Sequence, residues 1–214
     1  MGIYGRVNAF LYDPFLWFAE RRGMADRRGG LLAAASGRVL EIGAGTGLNI
    51  QHYGDAVSEL ILTEPDRLLH PRLERRLRAS RHVGEVVHAS AESLPFADAS
   101  FDTVVSTLVL CTVDDPRKSL TEIHRVLTPK GELLFLEHVR APDGSRLQRW
   151  QNRLHDPWRA FAYGCHCNRD TLDLLHRERF AIGELQRAKW VGMPALVRPL
   201  ISGRARTFDK GAIE

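Results

Sequence analysis

Val39-Leu40-Glu41-Ile42-Gly43-Ala44-Gly45-Thr46-Gly47 is the stretch that decides the fold: an apolar run that ends in three glycines at alternate positions. Such a run reads as a strand entering a tight turn, where glycine lets the backbone bend sharply and come up against a flat ligand. Around it the chain repeats one unit: apolar strand, turn, helix, strand. Strands are expected at 38–43, 58–64, 84–89, 101–107 and 131–139, with helices near 48–53, 66–79 and 115–127. The last helix opens at Asp114, Asp115 and Pro116, a capping acid followed by a proline suited to a first turn. Near-continuous Val, Ile and Leu runs mark strands covered on both faces, hence a largely parallel sheet in a three-layer α/β fold. Beyond residue 169 a helix (170–178) and a strand-like stretch (180–188) extend the sheet, while 190–208 carries no clear period.

Composition narrows the class. The 214 residues are 44% hydrophobic and 26% charged, enough for one domain with a full core. A net charge of +4 with both signs mixed throughout gives no basic stripe for nucleic acid. The sequence offers neither an apolar run of about 18 residues nor the pattern of a secretory leader, so a cytoplasmic location is expected. Cys111, Cys165 and Cys167 are too few, and odd in number, for a disulfide framework. The Cys165-His166-Cys167 run lacks the second ligand pair of a structural metal site, so no metal is expected. Residues 7–20 are rich in aromatics and are followed by Arg21, Arg22, Arg27 and Arg28; residues 1–36 read as a helical cap bent near Pro14, with weak contact to a membrane surface as the alternative.

The turn also selects a ligand. A dinucleotide fingerprint needs a third glycine at position 48, where this chain has Leu, and Glu41 stands where a pyrophosphate would bring negative charge. Glu64 closes the second strand 21 residues after Gly43, the spacing at which a carboxylate accepts hydrogen bonds from both ribose hydroxyls. An adenosyl ligand with a cationic tail satisfies both acids, and S-adenosylmethionine is such a ligand.

The glycine turn, Glu64, Ser90-Ala91-Glu92-Ser93-Leu94-Pro95-Phe96, the 101–107 strand and the 125–138 stretch occur in the order found in class I S-adenosylmethionine-dependent methyltransferases, which the chain resembles over about residues 37–140. The 106–145 stretch, His155-Asp156-Pro157-Trp158 and the 164–171 stretch are similar to the methyltransferase-like-seven group of alkyl thiol S-methyltransferases. The resemblance implies a Rossmann-like, mostly parallel seven-stranded sheet spanning 37–214 behind the cap. It implies S-adenosyl-L-methionine as donor and S-adenosyl-L-homocysteine as product. Glu41, Gly43, Ala44, Gly45 and Gly47 would surround the methionine end, Glu64 and Pro65 the ribose, Ser90, Ala91 and Glu92 the adenine, and Thr107 and Leu108 the sulfonium. The group usually has Cys at position 44, Asp at 64 and another residue at 163, and many superfamily relatives have Asp at 90. The hydrophobic N-terminal anchor of that group is not read in this sequence.

Methyl transfer to a thiol needs alignment, dryness and a thiolate. His138, His155 and Asp156 are the candidates for removing the proton, and Trp150, Trp158, Phe161 and Tyr163 form an aromatic cover for a hydrophobic acceptor. Cys165 and Cys167 are read first as small apolar fillers. A small hydrophobic thiol is therefore the expected acceptor. A quinone-precursor carbon, a phospholipid amine, and cofactor binding without catalysis are the rival readings, and a nicotinamide-dependent oxidoreductase is opposed by Leu48 and Glu41.

Overall fold

The computed structural model describes residues 17–162 and 164–208. The bend expected near Pro14, the aromatic stretch up to residue 16 and Tyr163 lie outside the described residues. A π-type turn over Glu20–Met24, broken by Gly23 at φ 105°, leads into helix α1 (Ala25–Leu32). The main unit then runs β1 (Gly37–Ile42), β2 (Val57–Thr63), α2 (His70–Arg78), β3 (Gly84–Val87), β4 (Phe101–Thr107), α3 (Pro116–Val126) and β5 (Leu127–His138). It continues with α4 (Arg146–Arg153), α5 (His155–Phe161), α6 (Thr171–Arg177), β6 (Phe180–Lys189) and β7 (Pro199–Thr207).

The seven strands form one sheet in the order β3-β2-β1-β4-β5-β7-β6. β1, β2, β3, β4 and β5 pair in parallel, and β7 is antiparallel to both β5 and β6. Leu40, Leu60, Leu62, Val105, Leu133 and Leu134 are fully buried, as strands covered on both faces require. Each such side chain contributes about 1.5–3 kcal/mol of apolar burial. Asp115 caps α3, accepting from the Arg117 and Lys118 amides at 3.0 Å each, with Pro116 in the first turn.

Two expectations are corrected. The 48–53 stretch makes only a 3-10 turn, Ile50–His52, because the chain must descend at once into β2. The helix expected from 66 starts at His70; Asp66 first turns the chain by accepting from the Leu68 amide. The aperiodic 190–208 tail contains β7, an antiparallel strand inserted between β5 and β6.

Strand order reverses between β1 and β4, which opens a crevice at their carboxyl ends. Because β7 runs opposite to its neighbours, the β6–β7 connection reaches that same edge. α1 packs down on the sheet: Leu32 and Ala35 share a core cluster with Val39, Leu60 and Leu134. Arg28, read from sequence as part of a basic flank, is buried; it pairs with Glu20 at 3.0 Å and donates to Asn49 Oδ1 at 2.8 Å. Trp17 and Phe18 remain exposed, with the Arg21 and Arg22 guanidiniums over their rings. No described helix is long and apolar enough to cross a membrane.

Candidate active site

A cavity of about 620 Å³ occupies the crevice, well inside the range for small-molecule sites. One half is lined by Gly43, Gly45, Glu64, Pro65, Ser90, Ala91 and Glu92. Gly43 and Gly45 hold φ of 55° and 58°, and a Cβ on Gly43 would lie 2.7 Å from Val109 Cγ2. The backbone here can be this close to the wall only as glycine.

Glu64 Oε2 accepts from the Gly45 amide and Oε1 from the Asp66 amide, each at 2.8 Å. Burial raises its carboxyl above the usual range against the pull of those two amides. Each oxygen retains acceptor capacity for a ligand hydroxyl. Glu92 Oε1 accepts from the Asp114 amide at 3.1 Å, bracing this half against the loop after β4.

That loop begins at Leu108, which lines the cavity with φ 60°, a left-handed conformation costing a non-glycine residue about 1–2 kcal/mol. Buried Glu137 on β5 holds it there: Oε1 accepts from Ser106 Oγ at 2.8 Å and from the Val109 and Leu110 amides at 3.1 Å. Arg169 closes the loop from the other side, donating to the Leu110 and Val113 carbonyls at 2.7 and 2.8 Å.

The second half is lined by Cys111, His138, Trp158, Cys165, Trp190 and Met193, with Phe161, Ala162 and Val197. His138 Nε2 lies 2.9 Å from Cys165 Sγ, and Trp158 Nε1 donates to the same sulfur at 3.3 Å. Contact with Cys111, then the bonds from His138 and Trp158, pull the Cys165 thiol down to about 4, while Cys111 is pushed well up. Trp190 Nε1 and His138 Nδ1 are buried and have no hydrogen-bond partner among the described residues.

Of the three acid-base candidates, only His138 reaches the cavity. Asp156 is 93% exposed, and His155 lies off the wall, 2.8 Å from Asp156 and 2.9 Å from His166. Both sit in the first turn of α5, which lends the cavity wall Trp158 and the largely exposed Phe161 instead. Among the residues expected around the cofactor, Gly43, Gly45, Glu64, Pro65, Ser90, Ala91, Glu92 and Leu108 line the cavity. Glu41, Ala44, Gly47 and Thr107 lie off its wall. Glu41 turns under the glycine loop, accepting from Tyr53 at 2.6 Å and Asn49 at 2.9 Å. Asn49 also donates to Thr107 at 3.0 Å, drawing that hydroxyl away from the crevice. Ala44 packs in the core, and Gly47 abuts Ile50 and Leu73. Trp150 is exposed and absent from the wall.

Cys111, Trp190, Met193 and Val197 are wall residues that sequence reasoning missed. They come from two separate loops, and of the four only Cys111 lies in a stretch that carried the family resemblance, 106–145. The Cys-His-Cys run does not act together: Cys167 Sγ faces the Gln151 carbonyl at 3.6 Å, His166 pairs with His155, and only Cys165 enters the cavity.

A reversed strand order, a glycine turn and an acid closing β2 define a class I methyltransferase, and residues 40–135 match the methyltransferase domain family. A SAM-dependent methyltransferase of Thermotoga maritima superimposes with a TM-score of 0.67 at 20% identity, covering 97% of this chain and 100% of that one. The chain is 37% identical to thiol S-methyltransferase TMT1B of Homo sapiens over 81% of its length and 73% of that protein, and 34% identical to TMT1A of Homo sapiens over 81% and 72%. It belongs to the thiol S-methyltransferase family.

Proposed function

We propose that this protein methylates the sulfur of a small hydrophobic thiol, using S-adenosylmethionine held in the Gly43–Glu92 half of the cavity. The observation that carries the reading is the other half: an apolar chamber lined by Trp158, Trp190, Met193 and Val197 together with the polar group Cys111, His138 and Cys165. Thiol methylation is the activity named for its relatives TMT1A and TMT1B.

The residues present suit the cofactor. The close backbone at Gly43 accepts a flat, bulky group, Glu64 offers acceptors for ribose hydroxyls, and the Ser90–Glu92 segment offers polar groups to a base edge. When bound, S-adenosylmethionine supplies a methyl carbon already activated by a positive sulfur and leaves as S-adenosylhomocysteine. The protein's part is alignment and exclusion of water. Trp158, Phe161 and Met193 cover the acceptor, Leu108 separates the two halves, and the Glu137 and Arg169 clamps keep the intervening loop fixed. An acceptor thiol must shed its proton; its sulfur then forms the new bond to carbon. The polar group is where that proton is lost.

An amine acceptor would call for acids facing the chamber. The acid that lines that side, Asp114, is 94% exposed at the cavity mouth and lies 3.9 Å from Arg159. Three free thiols suit a reducing compartment, which supports a cytoplasmic setting. The exposed Trp17 and Phe18 with their arginine neighbours support weak contact with a lipid surface.

The test is purified protein with methyl-labelled S-adenosylmethionine and a panel of alkyl thiols, phenols, amines and quinols, read by mass. Methylthio products with equal S-adenosylhomocysteine are expected. Product confined to amines or ring carbons, or cofactor binding with no product, would overturn the reading.

A further inference from the structure

Cys111, His138 and Cys165 come from three separate elements: the loop after β4, the end of β5 and the loop after α5. Their donor atoms nonetheless lie within 4.8 Å of one another, the one such trio of metal-ligating types among the described residues. All three are buried, and all three face the cavity. Filling a dry chamber with an apolar acceptor needs no such group, and the protein supports it deliberately. The Cys111 carbonyl accepts from the His166 amide at 2.8 Å, tying the two cysteine loops together, and Trp158 Nε1 points at Cys165 Sγ.

We propose that this trio is a zinc site with one open position, and that the acceptor thiol fills that position; the inference rests on the thiol reading above. Zinc binds Cys sulfur at about 2.3 Å and His nitrogen at about 2.0–2.1 Å, which places tetrahedral donors about 3.5–3.8 Å apart. The observed spread reaches that geometry by side-chain shifts of about 1 Å or less. Two sulfurs and one imidazole are a donor set that selects zinc over the hard cations, and three protein ligands with a fourth position open to a cavity are the pattern of a catalytic rather than a structural site. The open position faces the chamber where the acceptor sulfur must lie.

The chemistry balances. Two cysteine thiolates and a neutral imidazole cancel the charge of Zn²⁺. An incoming thiol displaces a bound water and gives its proton to solvent, since a coordinated thiol is deprotonated outright. The zinc-held sulfur contributes its electron pair to the new carbon–sulfur bond, the bond from that carbon to the donor sulfur breaks, and its pair stays on the donor. The thioether product is neutral, a poorer ligand than the thiolate, and leaves. His138 acts on this account as a ligand rather than as a free base. The site draws its ligands from three places in the chain, which is why the adjacent run at 165–167 gave no sign of it.

Cobalt(II) in place of zinc tests the inference without turnover. The full-length protein is expected to bind about one cobalt with an intense near-ultraviolet thiolate band, and an alkyl thiol added without cofactor should shift its visible bands. Cys111→Ser and Cys165→Ser should each abolish the band, and Trp158→Phe, which removes the donor to Cys165, should weaken binding about tenfold or more. In the unaltered protein, zinc should shield Cys111 and Cys165 from alkylation and leave Cys167 unchanged, a readout that holds even if a variant fails to fold. No band, a band that survives both serine variants, or unshielded cysteines would overturn the site. Methylthio product formed undiminished by metal-free protein would overturn the zinc role and leave the thiol reading intact. A bound metal with no methylthio product would support the site and overturn that reading.

Discussion

Glu41 shows how one residue serves the site without touching it. Burial is the chief cause that raises its carboxyl to about 7, against the bonds from Tyr53 and Asn49 and the charge of Arg28. Its folded value lies above the ordinary 4.5, so the folded chain binds this proton more tightly than the unfolded chain. The stability that follows is fully present below about pH 4.5, declines as pH rises, and is lost above about 7, a span of about 3 kcal/mol. Glu41→Gln is expected to flatten that part of the pH profile between 5 and 7, measured by urea unfolding at both values; an unchanged slope would place the titration elsewhere. Gly43→Ala meets a different obstacle, since its Cβ would strike Val109 at φ 55°. It is expected to weaken S-adenosylhomocysteine binding more than tenfold in calorimetry and to cost about 1–3 kcal/mol of stability. At this scale the sequence shows what lies next to itself. Gly43, Gly45, Glu64, Pro65 and the Ser90–Glu92 segment are legible because strand ends and turns are local signals. Glu41 lay beside the same signals, but which way its side chain turns depended on Asn49 and Tyr53, and no pattern announces that.

Among the elements, α1 is joined to the glycine turn by a buried chain of bonds from Glu20 through Arg28, Asn49 and Glu41 to Tyr53. Arg28→Ala leaves a carboxylate and an amide oxygen without their donor. It is expected to cost about 3 kcal/mol, seen as a fall of about 10 °C in Tm; a shift within 2 °C would mean the chain of bonds carries no weight. The parallel strands were legible as apolar runs because both of their faces are covered. β7 was not: Pro199, Gly203, Arg204 and Arg206 hide its period, and its place between β5 and β6 comes from pairing rather than composition. The connection from β6 into that strand carries Trp190, Met193 and Val197 to the cavity, so this part of the second half's wall was hidden along with it. His155 and Asp156 were misplaced for the same kind of reason: their proximity to Trp158 in sequence says nothing of which face of α5 turns inward.

For the molecule as a whole, much of the mixed charge goes into ion pairs and into Arg28 and Arg169, which work inside the fold. On the proposed function the two halves of the cavity divide the labour, one for the cofactor and one for the acceptor. If the chamber is filled by apolar contact, KM for straight alkyl thiols should fall about fourfold per added methylene until the space is full, with kcat little changed; a flat series would show that contact with the chain does not drive binding. The central claim is that sulfur is the atom methylated, and a sulfanylphenol, which carries a thiol and a hydroxyl on one ring, puts it to the most direct test. Incubated with the protein and S-adenosylmethionine and read by mass fragmentation, it is expected to yield the S-methyl product with the hydroxyl untouched. An O-methyl product, or methylation of the ring carbon, would contradict the account.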